Sequence, residues 1–161
     1  MSESSSITST ASLNLVAKIL NCASFESVKL ILFSLFKLVD DVSLPKDFLL
    51  FSGDDATGCE FMNSGGDGVI SVTANIMPNS MSKMCEFALA GDSKASKASD
   101  EPLESLHQTL FIAPNPVMPK WALYKMGLIK TPNLRLPMVL PELNEQATIE
   151  HELNVLGLIE K

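Results

Sequence analysis

The chain has 161 residues, of which 46% are hydrophobic and 19% charged, enough apolar side chain for a domain-sized core, so wholesale disorder is excluded. With 19 acidic residues against 12 basic ones the formal charge is -7, a field that repels phosphate backbones, so nucleic acid is not an expected partner. The 3 cysteines, Cys22, Cys59 and Cys85, form no Cys-x-x-Cys pair, which argues against a disulfide framework or a zinc ribbon and for a reducing compartment.

Met1-Ser2-Glu3-Ser4-Ser5-Ser6 lacks the basic and apolar stretches of an export signal. The run Val28 to Val39 is interrupted by Lys29, Ser34 and Lys37 and is shorter than the roughly 18–20 apolar residues a spanning helix needs. A soluble, cytoplasmic protein with no membrane partner is expected. Residues 1–10 read as a disordered tail, being Ser/Thr-rich with little to bury. Leu13, Val16, Ala17 and Leu20 then recur at helical spacing.

Three apolar strand candidates follow, beginning near Val28, Phe48 and Val69 (the last running to Thr73), with a helix predicted over Ala56 to Asn63. Strands alternating with helix-capable sequence predict an α/β fold with a parallel sheet; an open three-layer sandwich fits the same pattern. A closed (β/α)8 barrel needs about 250 residues and is not expected from this chain alone. Beyond the last strand the reading is helical. Asn79 is the predicted N-cap of a helix burying Met81, Met84, Cys85, Ala88 and Leu89, with Gly91 as its stop. Residues 92–101 read as a polar loop with a loosely structured helix start, and Leu103, Leu106 and Leu110 as a buried stripe. Pro119 opens a helix carrying Trp121 and Ala122, and Pro141 opens one burying Ile149, Leu153 and Leu156.

Ser52-Gly53-Asp54-Asp55 follows a strand candidate, where α/β folds place ligand sites. Gly53 allows a tight turn or close approach to a ligand. Asp54 and Asp55 either orient a reactive group or bind a metal, or else one caps the helix while the other faces water. Lys29 is either a desolvated amine, nucleophilic near neutral pH and suited to imine formation, or a solvated lysine at an element end. His107 lies on the Leu103/Leu106/Leu110 face and reads as a core or interface histidine. Gly65-Gly66-Asp67-Gly68 precedes a strand, not a helix, and is not read as a phosphate loop.

From Asp47 onward, Phe51-Ser52-Gly53-Asp54-Asp55, Gly65-Gly66-Asp67-Gly68-Val69-Ile70-Ser71-Val72-Thr73-Ala74-Asn75, Ala90-Gly91-Asp92, Pro114-Asn115-Pro116-Val117-Met118-Pro119-Lys120-Trp121-Ala122 and Leu134-Arg135-Leu136-Pro137-Met138 stand in one order. In that order they resemble the dihydrodipicolinate synthase (4-hydroxy-tetrahydrodipicolinate synthase) family. The resemblance implies a (β/α)8 TIM barrel with a C-terminal helical extension, condensing pyruvate with aspartate semialdehyde through a lysine Schiff base in lysine and diaminopimelate biosynthesis. It implies no metal or organic cofactor, and assembly as a homo-oligomer. On it, 11–91 is a partial barrel (about the last three βα units) and 92–161 the helical extension. Gly53 and Ile70 line the pyruvate pocket, and Lys29 is the Schiff-base candidate. Upstream the pattern departs: Leu30-Ile31-Leu32-Phe33 follows Lys29 where the family has Glu-Ala-Thr/Ser-Gly, and the tyrosine motif expected earlier is absent from Met1 to Ser6. A truncated family member is expected, inactive alone, or a non-catalytic remnant that oligomerises through an open sheet edge.

Overall fold

A computed structural model describes residues 49–160 of the chain. The expected helix over Leu13–Leu20, the strand at Val28 and Lys29 itself lie outside the described residues. Residues 49–160 belong to one compact unit.

That unit opens with a β-α-β crossover. Strand β1 (Phe51–Ser52) leads into helix α1 (Asp55–Asn63), and β2 (Gly68–Val69) returns parallel to β1. Phe51 pairs with Gly68 and Ser52 with Val69. The parallel pair joined by a helix bears out the α/β expectation. The ladder continues a residue further each way: Ile70 N donates to Ser52 O at 2.8 Å, and Asp67 N to Leu50 O at 2.8 Å. The Asp67 side chain also accepts from Leu50 N at 2.7 Å, so Gly65-Gly66-Asp67-Gly68 turns the chain back into the sheet.

Both strands are shorter than predicted. β2 stops at Val69, not Thr73, because the carboxylate of Asp55 takes the amides of Val72 and Thr73, and a 3-10 turn forms over Thr73–Asn75. Ser71 Oγ accepts from Ala74 N at 2.8 Å and helps to start that turn. The strand that precedes Gly53 is not buried, since Phe51 is 53% exposed.

Helices α2 (Pro78–Leu89), α3 (Ser93–Asp100), α4 (Glu104–Thr109), α5 (Val117–Lys125) and α6 (Leu143–Val155) follow, with a 3-10 turn over Glu101–Leu103. Asn79 is not the N-cap of α2. Pro78 occupies the first turn, where its missing N–H costs nothing, and Met77 is the cap residue. Met81, Met84 and Ala88 are buried as predicted, whereas Cys85 is half-buried and Leu89 exposed. Gly91, with φ 78°, ends the helix in the left-handed region that glycine adopts without strain. Residues 93–100 are helical, not a loop. Asp92 accepts from Ala95 N at 3.0 Å and caps α3, and buried Ser96 meets Cys59 Sγ at 3.3 Å. α5 starts at Val117, ahead of Pro119, and α6 at Leu143 behind a Glu142 cap, whose N–H donates to Glu145 at 2.7 Å.

Among the described residues the core has two clusters. The first joins Cys59, Met62, Met81, Met84, Ala88 and Leu103 between α1 and α2. The second gathers Ile76, Leu106, Leu110, Ala113, Val117, Met118, Trp121, Ala122, Ile149 and Leu153. Cys59 and Cys85 are free thiols. Burial pushes both up from the ordinary thiol range, with Asp100 adding to the rise at each. α4 and α6 are tied by Ser105 Oγ donating to the buried Glu152 carboxylate at 2.7 Å. No helix among the described residues is long and apolar enough to cross a membrane.

Candidate functional site

Parallel strands deliver consecutive residues to one edge. Because Ser52 pairs with Val69, Gly53 and Ile70 leave the sheet side by side at its C-terminal edge, the edge where parallel sheets present ligand-binding loops. Ile70 is 73% exposed there, so its side chain is available to whatever lies above the sheet. At Gly53 a Cβ would meet nothing within 4 Å and φ is not positive, so the expected tight turn does not explain that glycine.

The two aspartates have divided the roles set out for them. Asp54 caps α1, accepting from Thr57 N at 3.0 Å and from Thr57 Oγ1 at 2.6 Å. Asp55 does not face water. It is 1% exposed, and its Oδ2 accepts from Val72 N at 2.8 Å and Thr73 N at 2.9 Å. Both carboxylates therefore support the two loops of the sheet edge, and neither is an exposed acid, base or metal ligand. No group of three or more His, Cys, Asp or Glu side chains among the described residues could hold a metal ion.

Below the edge lies an arrangement that the one-dimensional pattern does not reveal. Thr73 is fully buried, and its Oγ1 is 2.8 Å from His107 Nδ1. His107 Nε2 is 3.2 Å from Asp100 Oδ1. The prediction of a core histidine is borne out at 2% exposure. Its partners come from the turn after β2 and from the end of α3. The available signal was a lone imidazole on the apolar Leu103/Leu106/Leu110 stripe, which demands buried hydrogen-bond partners. Tyr124, the chain's single tyrosine, lies on α5 with its ring 5.6 Å from that of Trp121. Lys125 pairs with Glu150 at 3.1 Å.

Comparison with known proteins relates the chain to one family. The model of the dihydrodipicolinate synthetase family matches residues 8–156. A 4-hydroxy-tetrahydrodipicolinate synthase from Pseudoalteromonas atlantica is 57% identical over 114 residues, covering 71% of this chain and 39% of its own length. The enzyme of the same name from Buchnera aphidicola is 50% identical over 123 residues, covering 76% of this chain and 40% of that one. Among solved structures, the chloride-inhibited dihydrodipicolinate synthase of Acinetobacter baumannii complexed with pyruvate superposes with a TM-score of 0.71 at 39% identity. It covers 77% of this chain and 42% of that one. The chain thus spans about two fifths of the length of the curated relatives it matches. With a parallel β-α-β crossover, helices in the same order and a family match over most of its length, the chain belongs to the dihydrodipicolinate synthetase family.

Proposed function

We propose that this chain carries the closing part of a Schiff-base lyase barrel that condenses pyruvate with aspartate semialdehyde, as in 4-hydroxy-tetrahydrodipicolinate synthase. On this reading residues 1–10 are a tail, 11–91 supply about the last three βα units of a (β/α)8 barrel, and 92–161 are the helical extension. Lys29 is the nucleophile. Its neutral amine adds to the pyruvate keto carbon, the carbonyl oxygen leaves as water, and an imine remains that activates the adjacent methyl carbon. Gly53 and Ile70 line the pyruvate pocket at the sheet edge. No metal or organic cofactor is required, because the imine itself is the electron sink. The observation that carries the reading is the adjacency of Gly53 and Ile70 at the C-terminal edge of a parallel sheet in a chain of this family. The solved structure from Acinetobacter baumannii, complexed with pyruvate, supports the choice of substrate.

Borohydride reduction in the presence of labelled pyruvate, followed by peptide mass spectrometry, tests it. A stable adduct on Lys29 that disappears in Lys29→Arg supports the lyase; no adduct at millimolar pyruvate overturns it.

A second reading has its own observation. Leu49, Phe51 and Ile70 are 60%, 53% and 73% exposed around the two strands, an apolar surface at the sheet that favours self-association over catalysis. A non-catalytic, oligomerising module would show a concentration-dependent mass by light scattering together with no pyruvate adduct.

A further inference from the structure

Past Ile70 the backbone leaves the ladder, and the amides of the next turn must find other acceptors. Ile70 N still reaches Ser52 O, whereas Val72 N and Thr73 N go to Asp55 and Ala74 N goes to Ser71 Oγ. The segment that carries Ile70 is therefore held by a buried carboxylate. Thr73 Oγ1 also meets His107, which in turn meets Asp100. Asp55 comes from α1, His107 from α4 and Asp100 from α3, so three helices converge on one short turn.

The order hydroxyl, imidazole, carboxylate is that of an activated nucleophile, but Thr73 is 0% exposed and no substrate atom can reach it. A positioning role fits instead, and the direction of the chain can be worked out. A carboxylate oxygen accepts, so the tautomer that joins all three groups carries the ring proton on His107 Nε2, aimed at Asp100. Among the described residues the Thr73 hydroxyl has His107 as its hydrogen-bond partner. Its proton therefore points at Nδ1, which must be a bare acceptor.

We propose that Asp55 and His107 are positioning residues that clamp the Ile70–Thr73 turn, Asp55 through the Val72 and Thr73 amides and His107 through the Thr73 hydroxyl, and so hold Ile70 in place for pyruvate. The clamp stands on the hydrogen bonds above; its effect on pyruvate rests on the lyase reading. A single directed hydrogen bond on a fully buried hydroxyl links α4 to the turn, so removing it should loosen the turn without emptying the core.

The experiment uses the full chain with Asp55→Ala, Thr73→Val and Thr73→Ser. Nitrogen-resolved NMR of His107 should show a protonated Nε2 and a bare, hydrogen-bonded Nδ1, with the Nδ1 signal shifting in Thr73→Val and returning in Thr73→Ser. Amide exchange at Val72 and Thr73 should accelerate about tenfold in Asp55→Ala, the size of one buried hydrogen bond, while the α2 amides keep their rates. The pyruvate concentration for half-maximal borohydride trapping should rise about tenfold in Thr73→Val and recover in Thr73→Ser. A proton on Nδ1, or acceleration spread evenly over all amides, overturns the clamp. If Asp55→Ala does not fold, the Thr73 pair decides it through the same ring signals and exchange rates. If wild type traps no pyruvate, the lyase reading fails and the catalytic part of the proposal with it, while the ring and exchange data still judge the clamp. Normal NMR and exchange with unchanged trapping in Thr73→Val overturns the link to pyruvate alone.

Discussion

Phe51 and Ile70, at the sheet, leave 53% and 73% of their surfaces exposed, whereas Met84, Leu106 and Ile149, in the helices, leave none. The two regions draw on similar apolar residue types and differ in what covers them. A helix needs only one stripe buried, and α2 to α6 supply stripes to one another. A strand in a parallel sheet needs cover on both faces and a partner on each edge, and within the described residues β1 and β2 pair only with each other. The buried helical stripes are thus covered by one another, and truncating one of them should cost more than truncating an exposed side chain at the sheet.

Truncating the helical core is the strongest test of that contrast. Leu106→Ala should lower unfolding free energy by about 2–5 kcal/mol in urea titrations, because a fully buried side chain leaves a cavity that its neighbours fill poorly. A loss below about 1 kcal/mol would mean that the second cluster is not packed as described. Asp92→Ala comes next, at about 1 kcal/mol, since it removes the side chain that caps α3. Helical content should fall locally while the second core cluster keeps its protection.

At the sheet, Leu49→Ser should change stability by no more than about 0.5 kcal/mol, because the side chain is already 60% exposed. A cost as large as that of Leu106→Ala would show that this surface is covered in solution, and would collapse the comparison. Alkaline pH gives the gentlest probe. Burial raises the folded-state pKa of Cys59 and Cys85 above the unfolded one, so the stability each thiol contributes is fully present below the ordinary thiol pKa of about 8.5. It is lost as pH rises from there through the raised folded value. Both thiols belong to the first cluster, Cys59 as a buried member and Cys85 packed against it. Exchange at α1 and α2 should therefore accelerate before exchange at α5 and α6, and Cys59→Ala with Cys85→Ala should remove the difference.

Much of the helical part was legible. Leu103, Leu106 and Leu110, Met81 and Met84, and Ile149 with Leu153 were all predicted inward from spacing alone and are buried. A helix advertises itself through local repetition, and each stripe needs only a neighbour of the same kind. Two of the errors fall where a single residue at a helix start decided the outcome. Asp92 made a helix of a stretch whose small polar residues read as a loop, and Pro78 displaced Asn79 from the cap of α2. Lys29 lies outside the described residues, so its role stands on sequence alone.

For the candidate site, sequence pattern determined the alternation of strand and helix that leads to Gly53, because the order of apolar runs and turn residues is a one-dimensional property, while Ile70 was read inside a strand running to Thr73 and was singled out only by the family resemblance. Tertiary structure decided that Asp55 is a buried brace, that β2 ends at Val69, and that Thr73, His107 and Asp100 form one chain. Those contacts join residues 7, 17 and 34 positions apart. The last two exceed the reach of helical or strand periodicity, so they exist only once the helices have folded back onto the turn.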